Sequence, residues 1–139
     1  MPACVKTIAC AYAVLILVGF LPAGPVAAGE GETLSGDDFV AIIGGNTLVG
    51  ENNSGLSYQI FYGADGTMKG YSEKGDWSGT DEGAWEADGK IICFQWSSWR
   101  DGERYCRTFS SKGGKILSYD DSGDLTGTSE LEKGNSRGL

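Results

Sequence analysis

Lys90-Ile91-Ile92-Cys93-Phe94-Gln95-Trp96 and Arg104-Tyr105-Cys106-Arg107-Thr108-Phe109-Ser110 decide how this chain is read. Both runs are rich in aromatic and β-branched residues, and residues 97–103 separate them. Such runs read as β-strands joined by a hairpin loop. Side chains alternate across a strand. If Cys93 faces Cys106, Ile92 lies opposite Arg107 and Phe94 lies opposite Tyr105. Ile92, Phe94, Trp96, Tyr105 and Phe109 then share one face, an aromatic core wall. The cysteines lie on the other face with Ile91, Gln95 and Thr108. The same register turns Arg107 toward the core. Two readings of Arg107 follow: a buried guanidinium held by a carboxylate or carbonyls, or a rim residue that reaches out to water.

Working outward, glycines punctuate the chain and proline is absent after residue 25. Short strand-like runs fill the intervals, as in a chain of strands and tight turns. The expected strands are Thr47–Gly50, Leu56–Tyr62, Thr67–Ser72, Gly83–Ala87, Lys90–Trp96, Arg104–Ser110, Lys115–Tyr119 and Leu125–Leu131. Asp65-Gly66, Asp88-Gly89, Gly113-Gly114 and Ser122-Gly123 supply turns. Gly75–Thr80 reads as a longer connection holding Trp77. Before the strands, Ser35 followed by Asp37 and Asp38 suits a helix start, and Gly44-Gly45 a stop, which predicts a helix over 36–43. About eight consecutive antiparallel strands need closure to avoid open edges. The expected fold is all-β: a small up-and-down, lipocalin-like barrel with one short N-terminal helix over one end. A Greek-key sandwich is the alternative.

The N-terminus reads as a separate segment. Lys6 precedes an apolar run, Ile8–Leu21, and a small-residue stretch, Pro22–Ala28. This is the layout of an export signal cleaved near residue 28, rather than an anchor, because the run is short against the roughly 20 residues of a spanning helix. The weak lipid-attachment resemblance at Cys10 lacks a preceding apolar segment. The expected organisation is a leader at 1–28, one domain at 29–135 and a flexible tail at 136–139. The expected location is periplasmic or secreted, with no stable membrane span in the mature form. Ten basic residues then face nineteen acidic ones, a balance of −9. That charge disfavours nucleic acid and permits a cationic envelope protein or hydrolase as partner. Cys4 and Cys10 leave with the leader, so Cys93 and Cys106 read as one disulfide of an oxidising compartment. Chain entropy assigns such a short loop about 3 kcal/mol.

The run Gly45-Asn46-Thr47, Tyr62-Gly63-Ala64-Asp65-Gly66-Thr67, Gly83-Ala84-Trp85, Cys93-Phe94-Gln95-Trp96, Tyr105-Cys106 and Gly134-Asn135 resembles the exported bacterial proteins grouped as domain of unknown function 995. The resemblance spans most of residues 34–135. It implies a periplasmic or secreted bacterial protein with a compact β fold, and it carries over no catalytic residue. A broader likeness, of architecture alone, is to small periplasmic lysozyme-inhibitor and metalloprotease-inhibitor barrels.

The chemistry on offer is narrow. The sequence has no histidine, which removes the usual Ser-His-Asp and Cys-His nucleophile systems. Two cysteines alone make no zinc site. Asp120-Asp121-Ser122-Gly123-Asp124 fails the calcium-loop pattern, because its sixth and twelfth positions are leucines. No cofactor is indicated. The candidate binding residues are Trp77, Trp99, Arg100 and Arg107. Ser97–Gly102 is the candidate contact loop, since exposed aromatics with arginine suit sugar stacking or a protein hot spot. Equally, Trp99 can fold back onto the barrel end. The aromatic load favours a filled interior over an empty cup. The expected role is non-catalytic binding, with a calycin-type binder of a small apolar ligand as one alternative and a carboxylate-based enzyme as the other.

Overall fold

The structure is a computed structural model that describes residues 31–139; the expected leader lies outside the described residues. Nine strands and one α-helix follow in order: β1 Glu32–Thr33, α1 Gly36–Ile43, β2 Asn46–Asn52, β3 Ser57–Tyr62, β4 Thr67–Lys74, β5 Trp77–Asp88, β6 Ile91–Trp96, β7 Tyr105–Lys112, β8 Lys115–Tyr119 and β9 Leu125–Glu132. Each strand from β2 to β9 pairs antiparallel with the next, and β9 returns to pair with β2. The result is a closed, eight-stranded up-and-down barrel with no free edge among those strands. The short β1 lies outside the closed set and pairs with Ser110 and Ser111 of β7.

The register read from the cysteines is the register observed: Ile92 opposes Arg107, Cys93 opposes Cys106 and Phe94 opposes Tyr105. The disulfide bridges the two strands at 2.05 Å between sulfurs. The helix also spans the expected residues. Ser35 caps it: its hydroxyl accepts the Asp38 N–H, and the Asp38 carboxylate accepts from the Ser35 backbone, a reciprocal pair. The Ser35 hydroxyl, which also donates to the Asp38 carboxylate at 2.7 Å, and then the Ser35 N–H hold the Asp38 carboxyl below its ordinary value.

One expectation needs correction. Gly75–Thr80 is not a long connection: the chain turns tightly at residues 75–76 and β5 begins at Trp77, pairing Trp77 with Lys74. The glycines and polar residues of 78–83 hid a twelve-residue strand, because tertiary pairing overrides weak β-propensity. The C-terminal residues are hydrogen-bonded to the barrel. Thr47 donates its hydroxyl to the Gly134 carbonyl, Gly134 donates to the Asn46 side chain, and Arg137 pairs with Glu132.

One end of the barrel is plugged. Phe39 and Ile43 of α1 are fully buried, and the Phe39 ring lies 4.8–5.6 Å from those of Tyr62, Trp85 and Phe109. Trp85 completes the plug by donating its indole N–H to the Gly63 and Thr67 carbonyls. At roughly 1.5–3 kcal/mol per buried aromatic, this cluster is the thermodynamic centre of the fold.

Candidate functional site

The register sets a size gradient along the inward-facing positions. From the plugged end to the other, β2 presents Leu48, Gly50 and Asn52, and β4 presents Met68, Gly70 and Ser72. In the same direction β8 presents Ile116 then Ser118, and β9 Leu131, Ser129 and Gly127. Bulky apolar residues give way to small or polar ones. The interior therefore fills at one end and stays hollow at the other, a cup of about 450 Å³. This corrects the expectation of a filled interior: the aromatic load is real, but much of it is gathered around the helix plug.

Leu48, Ile60, Tyr62, Phe94 and Phe109 form the apolar floor of the cup. The wall is polar. Tyr58 shares a 2.6 Å hydrogen bond with Ser129, and Ser72 and Ser118 stand nearby. Tyr58 reaches this place because Gly127 lies beneath it; a Cβ there would sit 2.9 Å from the phenol oxygen. Tyr105 accepts the Trp96 indole N–H at 3.0 Å. Burial raises both phenols above their ordinary range, and for Tyr105 the Trp96 bond and two nearby guanidiniums pull back only part of that rise. Both are therefore neutral hydroxyls at physiological pH, able to donate as well as accept.

All four candidate residues, Trp77, Trp99, Arg100 and Arg107, line this one cavity. Trp99 turns inward. It packs on Trp96 with ring centroids 4.7 Å apart, over Gly70, where any Cβ would meet the Trp99 ring at 2.8 Å. The Asp81 carboxylate fixes this loop by accepting the backbone N–H groups of Ser98 and Trp99 at 2.9 and 2.7 Å. Beyond Trp99, Arg100 and Asp101 both hold positive φ, 55° and 56°. This left-handed turn carries the Arg100 guanidinium to 4.2 Å from the Tyr105 ring centroid. The Arg107 guanidinium lies 5.0 Å from the same centroid and donates to the Cys106 carbonyl. Arg107 is thus half-buried and lines the cup, so the disulfide register, carried through, places it correctly. Trp77 stands at the mouth, 51 % exposed.

Tyr58, Ser72, Ser118 and Ser129 are the lining residues that sequence reasoning missed. Their signal was present: in strands of opposite direction, the inward positions nearer this end are small or hydroxylated. Among the described residues, no cluster of three or more His, Cys, Asp or Glu side chains is placed to hold a metal, and no helix is long and apolar enough to cross a membrane. Comparison with known proteins gives no match to this chain among family models, curated proteins or solved structures.

Proposed function

We propose that this is an exported, non-catalytic binding protein that holds a small amphipathic molecule in its barrel cup. The observation that carries this reading is the hollow half of the barrel: about 450 Å³, with an apolar floor and a wall of hydroxyls and guanidiniums. Ligand sites in proteins span roughly 300–1,000 Å³ and combine apolar lining with a few placed polar groups. Eight-stranded barrels are about the size at which a lumen can hold one small ligand. The lining supports binding over catalysis, since it offers phenols, serines and arginines but no carboxylate to act as general acid or base. The inward turn of Trp99 favours this reading over a protein-contact loop, because the aromatic anchor faces the cup rather than a partner.

Native mass spectrometry of the protein purified from its own host tests the proposal. The expected result is a reproducible one-to-one non-covalent passenger, lost when Phe94 at the floor is exchanged for Trp to fill the cup. A bare protein that also fails to bind an uncharged environment-sensitive apolar dye overturns it.

A further inference from the structure

We infer that the cup selects ligands bearing a negatively charged head, an amphipathic carboxylate held by Arg107 and Arg100; this rests on the cup being the binding site. The argument begins with where charge is absent. The described residues carry most of a chain with nineteen acidic residues, yet none of the side chains lining the cup is a carboxylate. The two charged groups that do line it are both guanidiniums. In a protein whose surface is otherwise strongly acidic, this is a segregation of sign, and it sets a local positive potential at the cup, with Arg107 half-buried in the wall and Arg100 exposed at the rim.

The second step is that these cations lack counter-ions. Among the described residues the ion pairs are Lys69–Glu82, Arg104–Glu86, Lys115–Glu130 and Arg137–Glu132. Arg100 and Arg107 join none. Of the five N–H donors on a guanidinium, Arg107 commits one side-chain nitrogen to the Cys106 carbonyl, and Arg100 makes no side-chain hydrogen bond. Both instead rest on one ring, that of Tyr105. Cation–π contact orients a guanidinium but leaves its N–H edge free to bind. Two like charges gathered on one ring repel, and a single anion between or beside them relieves that cost.

The third step is the backbone. Arg100 and Asp101 are the only non-glycine residues with positive φ among the described residues. Holding an arginine in the left-handed region is unfavourable, and such strain persists where a side chain must be aimed. Here it aims Arg100 at the cup. The planar fork of arginine matches a carboxylate bidentately, and the floor of Leu48, Ile60, Phe94 and Phe109 takes an apolar tail.

The test uses two matched pairs differing only in the head group: dodecanoate against dodecanol, and 4-phenylbutyrate against 4-phenylbutanol. Each is titrated calorimetrically into the mature protein at fixed ionic strength. The acid of at least one pair should bind about tenfold or more tightly than its alcohol, the scale of charge-assisted hydrogen bonds. Arg107→Gln should reduce that ratio to within about twofold, and Arg100→Gln should lower it by a smaller factor. Arg100 stands on a loop, so its variant reads the effect even if the Arg107 variant fails to fold. Equal binding of acid and alcohol to the wild-type protein overturns the inference while leaving the cup intact, as does an unchanged ratio in both variants. Failure of all four compounds to bind overturns the cup itself and this inference with it.

Discussion

At the plugged end Phe39 sits with no exposed surface among Tyr62, Trp85 and Phe109; at the open end Trp99 leans on Trp96 and Gly70 and gives its remaining surface to the cup. Both ends are aromatic. At the plugged end the rings meet large apolar neighbours, Leu48, Met68 and Ile116 among them. Phe39 meets Tyr62 and Trp85 edge to face and Phe109 at a tilt, so the cluster excludes water. The open end sets rings on one side and small or hydroxylated residues, Gly50, Ser72, Ser118, Ser129, on the other. Aromatic content therefore does not decide whether a small barrel is filled. What decides it is whether the positions facing those rings are large.

The largest expected effect separates the two ends directly. Phe39→Ala opens a cavity in a sealed cluster and should cost about 3–5 kcal/mol. Trp99→Ala removes a larger ring, but one already bordering a hollow, and should cost about 1–2 kcal/mol. Denaturant unfolding of both variants, compared by midpoint at constant slope, measures the contrast. A Trp99 variant that loses as much as the Phe39 variant would show that the open end belongs to the same core. The cup would then be a packing gap rather than a site.

The contrast also marks what could be read from residues alone. The cysteine pair fixed one register, and that register carried the inward set Ile92, Phe94, Trp96, Tyr105, Arg107 and Phe109 without error. The helix was legible because Ser35, Asp38 and Gly44 are local signals that act within one turn. The first half of β5 was not. Ser78-Gly79-Thr80-Asp81 has little strand propensity of its own and is held by its pairing with β4. The cup was hidden for a related reason. Several strands taper singly, but in opposite chain directions; the taper reads as a cup only when antiparallel neighbours are aligned, so that Leu48 early in β2 and Leu131 late in β9 fall at one end of the barrel.

A smaller effect sharpens the comparison through the backbone. Turns at both ends place glycines in the left-handed region, residues 66, 89, 113 and 114 at the plugged end and 55, 75 and 123 at the open end, while the 97–103 loop places Arg100 and Asp101 there together with Gly102. Asp101 does not line the cup. Asp101→Gly should therefore stabilise the protein by about 1 kcal/mol, the order of strain a non-glycine residue carries in this region. Thermal unfolding of the variant measures it. An unchanged or lowered midpoint would mean that the loop is held without strain, which removes one of the reasons for regarding Arg100 as deliberately aimed.

The smallest effect concerns the latch on that loop. Burial raises the Asp81 carboxyl, but the backbone N–H groups of Trp99, Ser98 and Glu82 outweigh burial and hold it below its ordinary 3.8. A carboxyl depressed by folding binds its proton more readily in the unfolded chain. The stability it contributes is therefore complete above the unfolded pKa and is lost as pH falls through the folded one. Asp38 obeys the same sign at the plugged end, where it caps α1. The difference is in what each releases. Protonating Asp38 loosens a helix end still pinned by Phe39 and Ile43, whereas protonating Asp81 frees the loop that seats Trp99. Acidification through the range below about pH 4 should thus change Trp99 emission, read as the difference between wild type and Trp99→Phe, before circular dichroism reports unfolding. Asp81→Asn should weaken that early change, because an amide keeps an acceptor oxygen but has no proton to gain. If the early change is as large in Asp81→Asn, or coincides with global unfolding in the wild type, Asp81 is not the latch. The open end would then melt with the plugged end as one cooperative unit.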